Sequence, residues 1–166
     1  MIVISNTSPL FYFASVGKLS LLKELYYKIY IPNAVWEEIP SNLRIDIKFE
    51  KTEWLIIQDP EKDKFKEVAI SLFHVLGRGE SYAIALSLEL EADYLLINDQ
   101  EAKDKAEEMG IKTKWITEVL LDAAEKKVIK DFQEFLKIFE KMIENGLWIK
   151  KEHYNKVIEK AKEVLI

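Results

Sequence analysis

The chain has 166 residues, an apolar fraction of 49%, no cysteine, and 24 lysines and arginines against 29 aspartates and glutamates, for a net charge of −5. That length suits one domain with its own apolar core, and the absence of thiols excludes disulfide scaffolds, thiolate zinc sites and cysteine nucleophiles. A nonspecific polyanion binder usually carries the opposite charge, so contact with nucleic acid requires a local basic surface or a metal that masks the carboxylates.

Met1 to Ser5 reads as a buried strand. No basic stretch precedes it and no apolar run approaches the roughly 20 residues of a membrane span, so a soluble, cytoplasmic protein is expected. Asn6-Thr7-Ser8-Pro9 leads into an apolar helix over Leu10 to Ala14, and Gly17 breaks it. Leu19, Leu22, Leu25 and Tyr26 repeat on a helical face, Lys28 to Ile31 forms a second strand, and Pro32-Asn33 opens a helix through Glu38. Trp54 to Ile57 gives a third strand. Asp59-Pro60 has the form of a cap and first turn, followed by a helical pattern through Val68, Leu72, Val75 and Leu76 to Gly77-Arg78-Gly79. A helix over Glu80 to Glu91 precedes the clearest interior strand, Tyr94 to Ile97. Asp99 starts a helix that stops at Gly110, Lys112 to Ile116 is extended, and Thr117 caps a helix through Lys126. Phe132 to Ile143 and Lys151 to Leu165 are amphipathic helices. Strands separated by helices imply an α/β fold with a parallel sheet covered on both faces. Residues 1–130 form the main body, and residues 131–166 form a helical extension packed on it, whose lysines alternate with glutamates as on a solvated helix face.

In parallel sheets, ligands gather beyond the carboxyl ends of the strands. Asn6 and Asn98-Asp99 stand at two such ends, although each also suits a helix N-cap. Glu37-Glu38 and Glu80 read individually as surface charges, Glu80 in a first turn where it complements the helix dipole. His74 lies on a largely apolar stretch and His153 far away in sequence, so neither reads as a metal ligand. Gly77-Arg78-Gly79 lacks the pattern of a phosphate loop and reads as a turn between helices. Trp148 and Tyr154 suit either core packing or base stacking.

Five segments in this order and spacing are more specific together: Ile4-Ser5-Asn6-Thr7-Ser8-Pro9-Leu10, Ile31-Pro32-Asn33-Ala34-Val35-Trp36-Glu37-Glu38-Ile39, Leu76-Gly77-Arg78-Gly79-Glu80, Leu95-Leu96-Ile97-Asn98-Asp99 and Ala106-Glu107-Glu108-Met109-Gly110. The chain resembles the PIN-domain family, and most closely a prokaryotic, VapC-like branch known as a domain of unknown function. The resemblance spans roughly residues 1–130 and implies a three-layer α/β/α sandwich with a central parallel sheet. It further implies an acidic cluster holding Mg²⁺ or Mn²⁺ for RNA cleavage, with the acidic positions on Glu38 (or its neighbour Glu37), Glu80 and Asp99. The first family position, an aspartate, falls on Asn6, a substitution common in this branch. Thr7 and Ser8 match the hydroxyl residues beside the first motif, Asn98 lies near the same rim, and Arg78 is a candidate RNA contact.

Hard divalent cations take oxygen ligands, and Mg²⁺ keeps several waters while held by one or two carboxylates. An amide brings no charge, so the site has three carboxylates where a typical member has four. The expectation is therefore a metal-dependent ribonuclease, the toxin of a toxin–antitoxin pair with a small antitoxin partner, or alternatively a catalytically weak module that binds RNA or protein. An aspartyl-phosphate hydrolase would need a nucleophilic aspartate where Asn6 stands. The apolar stripe of Phe132, Phe135, Phe139 and Leu147, together with the family resemblance, points to a homodimer or higher homo-oligomer.

Overall fold

Five short aliphatic runs pair side by side, all in parallel, to form the central sheet of the computed structural model, which describes residues 1–49 and 53–166. They are β1 (Val3–Ser5), β2 (Ile29–Ile31), β3 (Leu55–Ile57), β4 (Tyr94–Leu96) and β5 (Thr113–Lys114), in the spatial order β3-β2-β1-β4-β5. Val3 and Ser5 lie opposite Tyr94 and Leu96, while Ile4 lies opposite Tyr30 on the other side. Side chains on both faces of the inner strands are excluded from water, among them Val3, Ile4, Ile29, Ile31, Leu95 and Leu96. That is the signature of a parallel sheet clothed in helices on both sides.

The helices are α1 (Thr7–Ser15), α2 (Leu19–Tyr26), α3 (Asn33–Glu38), α4 (Ser41–Phe49), α5 (Asp63–Leu72), α6 (Arg78–Glu89), α7 (Gln100–Glu108), α8 (Ile116–Glu125), α9 (Phe132–Glu144) and α10 (Lys151–Leu165). The sheet and its flanking helices make the expected three-layer α/β/α sandwich. Among the described residues, no helix is long and apolar enough to cross a membrane.

Several boundaries differ from the sequence expectation for identifiable reasons. α1 starts at Thr7 rather than Leu10, because Asn6 takes the extended N-cap conformation and Pro9 is tolerated in a first turn that needs no N–H. Asp59 does not cap α5. Its carboxylate instead accepts hydrogen bonds from the backbone N–H and side-chain amide of Asn33, both at 2.9 Å, and α5 begins only at Asp63. α6 starts two residues before Glu80. Trp115 holds the extended N-cap position of α8, so Thr117 lies inside the first turn instead of capping it. α4 occupies a stretch for which the sequence suggests no element, with Ile47 turned into the core.

The aromatic stripe of α9 is not offered to a second copy. Phe135, Phe139 and Leu147 are buried in the core that the sheet also feeds, with Phe132 packed against it, where α9 meets α1, α8 and α10 of the same chain. Tyr154 belongs to this packing: its ring stacks on Phe139 at 5.3 Å and its hydroxyl donates to Glu140.

Candidate functional site

The strand order turns back between β1 and β4, which places a crevice at their carboxyl ends. The Asn6 backbone N–H donates to the Leu96 carbonyl at 2.9 Å and ties those ends together. The Asn6 side chain is only 4% exposed, and its Oδ1 has no hydrogen-bond partner among the described residues. A buried acceptor left in that state costs about 1–3 kcal/mol, so the position has capacity for a donor or a cation.

Three carboxylates reach this rim from separate elements. Glu38 ends α3; its Oε2 accepts from the Thr7 hydroxyl at 2.6 Å and its Oε1 from the Gly79 N–H at 3.0 Å. One carboxylate thus links the starts of α1 and α6, and the close approach depends on Gly79 having no side chain. Glu80, in the first turn of α6, accepts from the Gly77 N–H at 3.3 Å. Burial, then the negative charge of Asp99, and to a smaller degree Glu38 and Glu101, push the Glu80 carboxyl above its ordinary value, against the opposing Gly77 bond. Asp99 caps α7, accepting from the Ala102 N–H at 2.9 Å. Glu38, Glu80 and Asp99 therefore share one electrostatic neighbourhood, although they lie on three segments of the chain.

The remaining sequence candidates divide. Thr7 holds Glu38, and Asn98 stands half-buried beside Asp99. Ser8 is half-buried, and among the described residues neither its hydroxyl nor the exposed Glu37 carboxylate makes a hydrogen bond. Arg78 is exposed at the start of α6, with its guanidinium 5.6 Å from the Tyr82 ring centroid.

The donors are all hard oxygens, three anionic and one neutral, a set that fits Mg²⁺ or Mn²⁺ better than zinc. Among the described residues, no three His, Asp or Glu side chains stand close enough together to chelate an ion directly. Both Glu38 oxygens are already held by protein groups. A divalent cation at this rim would be held through few direct protein contacts and would keep most of its water shell, with the unpartnered Asn6 oxygen available as an uncharged donor.

From Asp99 a cleft of about 360 Å³ runs outward, walled by Trp115, Thr117, Trp148, Lys150 and His153. His153 shares a hydrogen bond of 3.3 Å between its Nε2 and the Thr117 hydroxyl. Burial, then the charges of Lys156 and Lys160, lower its pKa and disfavour the charged ring. Sequence reasoning set His153 aside for its distance along the chain and read the lysine-rich tail as a solvated face. The start of α10 instead closes one side of this cleft, a juxtaposition that residue spacing does not signal.

An all-parallel sheet with an acidic, oxygen-donor rim at its switch point defines an α/β domain whose candidate site lies beyond the carboxyl ends of β1 and β4. The chain belongs to the PIN-domain family: the family described as PIN domain matches residues 2–163, which includes the C-terminal helices. PIN domains are generally nucleases and generally use divalent metal ions. Among solved structures, the chain is similar to a PilT N-terminus domain protein from the hyperthermophilic archaeon Sulfolobus solfataricus P2, at 21% identity and a TM-score of 0.45, over 72% of this chain and 90% of that one. No curated protein matches the chain.

Proposed function

We propose that this protein is a divalent-metal-dependent ribonuclease that hydrolyses RNA phosphodiester bonds at the rim formed by Glu38, Glu80 and Asp99, with Asn6 as a neutral fourth donor. The observation that carries the reading is the buried, unpartnered Asn6 oxygen, one residue before the threonine that holds Glu38. A bound Mg²⁺ or Mn²⁺ supplies activation of water and neutralisation of charge on the phosphodiester. The protein's own part is positioning. Thr7 and Gly79 fix Glu38, the α7 cap fixes Asp99, and the Gly77 bond fixes Glu80. Arg78 and the first turn of α1, with Thr7 and Ser8, are the nearest candidates for contacts to flanking phosphates.

The biological role attached to this activity is that of a toxin restrained by a small antitoxin. A small reading frame beside the gene is expected, and its absence refutes that role without touching the activity. The test of the activity is cleavage of a mixed RNA pool by purified protein over a Mg²⁺ and Mn²⁺ series. Cleavage that disappears with chelator and with Asp99→Asn supports the enzyme.

A second reading, a PIN module that binds RNA or a protein without cutting, is favoured by the neutral Asn6. Asn6→Asp separates the two, since it adds a charge at nearly constant size and cation affinity follows ligand charge. For the enzyme, cleavage at low Mg²⁺ increases. Inactivity of wild type and variant alike over varied RNAs assigns the binding module.

A further inference from the structure

Trp148 lies in the turn between α9 and α10 with 76% of its surface exposed, directly after Leu147, which is only 4% exposed. The turn is built rather than frayed. The Leu147 N–H donates to the Met142 carbonyl at 3.0 Å, and the Asn145 amide donates to the Ser15 hydroxyl at 3.1 Å on α1. Gly146 makes the reversal at a φ of +113°, a conformation that L side chains rarely adopt. A large aromatic ring is thus held in water on a tied backbone, at the mouth of the cleft that begins at Asp99.

The other walls complement one ligand chemistry. Trp115 adds a second, half-buried indole, with the Lys103 ammonium 5.3 Å from its ring centroid. Lys150, at the N-cap of the fifteen-residue α10, adds positive charge where the helix dipole also favours an anion. The Thr117–His153 pair offers polar edges. A volume of about 360 Å³ falls near the lower end of the roughly 300–1,000 Å³ usual for ligand pockets, enough for one nucleoside and not for a base pair.

We infer that this cleft is a nucleoside subsite, which stacks one unpaired base of single-stranded RNA on Trp148 and Trp115 and sets the adjoining phosphate at the Asp99 end. The inference deepens the ribonuclease reading and rests on it for the place of the scissile phosphate. The subsite selects unpaired RNA, because a base held in a duplex cannot enter, and stacking tolerates any base because each has a π-face.

The test measures anisotropy of a labelled hexauridylate with the full chain, in chelator and in Ca²⁺, so that binding is read apart from cleavage. Trp148→Ala is expected to weaken binding about tenfold, since base–aromatic stacking is of that size, and Trp148→Phe to recover most of the loss. A hexamer with one abasic nucleotide, scanned along its length, is expected to bind wild type about tenfold more weakly at one position and to show no further loss with Trp148→Ala. Equal affinity of wild type and Trp148→Ala overturns the subsite, as does no measurable binding by wild type in either buffer. A change of Trp148→Ala from dimer to monomer with unchanged RNA affinity also overturns it and assigns the ring to a contact between copies. Binding that depends on Trp148 without cleavage in any metal keeps the subsite and removes the ribonuclease reading. Cleavage indifferent to Trp148 and to the abasic position does the reverse.

Discussion

Gly79→Ala isolates what Glu38 does at the rim. A Cβ at Gly79 would stand 2.5 and 2.6 Å from the Glu38 carboxylate oxygens and 2.8 Å from the carbon between them. The carboxylate ends a flexible, exposed side chain, so it swings away instead of forcing the helices apart. The loss is the pair of hydrogen bonds from the Gly79 N–H and the Thr7 hydroxyl. Bonds to a charged group contribute about 1.5–3 kcal/mol each, and the lower end suits an exposed carboxylate whose partners water can reach. Alanine in place of glycine in a helix returns up to about 1 kcal/mol. The net is a destabilisation of about 2–3 kcal/mol without metal, or about 4–12 °C in melting temperature for a chain of this size. Metal affinity and cleavage are expected to fall more steeply, about ten- to hundredfold, because groups that orient a ligand carry effects of that order. Melting in chelator, Mn²⁺ titration calorimetry and initial cleavage rates measure the three quantities separately. In a double-mutant cycle with Glu38→Gln, the two changes are expected to be strongly non-additive. A folded Gly79→Ala protein with wild-type Mn²⁺ affinity and cleavage would refute the reasoning and remove Glu38 from the site.

Asp99→Asn retains an oxygen for the Ala102 N–H, so melting in chelator is expected to change little while Mn²⁺ affinity drops at least tenfold; equal affinity in calorimetry excludes Asp99 from the rim. The raised Glu80 value makes the folded state bind its proton more tightly than the unfolded chain, whose value is near 4.5. The stability this proton contributes is full below about 4.5 and is lost as pH rises through the raised folded-state value. Glu80→Gln is therefore expected to raise the metal-free melting temperature at pH 7 with a benefit that shrinks toward pH 4, and a pH-independent difference contradicts the assignment. Self-association, if carried by remaining apolar surface, falls on Ile70, Phe73 and Val75, which are 58%, 40% and 51% exposed. Phe73→Glu is expected to give a monomeric mass in light scattering, and an unchanged mass moves the interface elsewhere.

The parts of the site that the sequence announces are those where one local pattern carries both fold and chemistry. Asn6 and Asn98-Asp99 follow apolar runs and precede helices, so their place at the sheet's carboxyl edge is readable from neighbours alone. Glu38 and Glu80 are different: each looks like a surface charge on its own helix, and only the five motifs taken together single them out. Gly79 reads as a turn residue but lies in the first turn of α6, and its place against Glu38 is not legible because that contact joins residues 41 positions apart. The same limit hid Trp148, Lys150 and His153 from Asp99. α4 is hidden because its apolar residues Leu43, Ile45, Ile47 and Phe49 alternate at a period of two rather than at helical spacing, and the α9 stripe is ambiguous because periodicity reports an apolar face without saying which surface covers it.

The β1–β4 pairing also governs when the rim can come into being. β2 lies close to β1 in the chain, so that half of the sheet closes over a short loop. β4 joins β1 only after residues 94–96 have been synthesised, and contacts between distant segments form late because loop closure must precede any gain from them. Asn6 meets the Leu96 carbonyl only at that step, and Asp99 arrives at the same moment. Trp148 to His153 follow later still. A growing chain therefore carries its acidic groups on separate pieces while it remains beside the messenger and the ribosome, both of them RNA. For the proposed ribonuclease, this order of assembly keeps the rim unformed until residues 94–96 have joined the sheet.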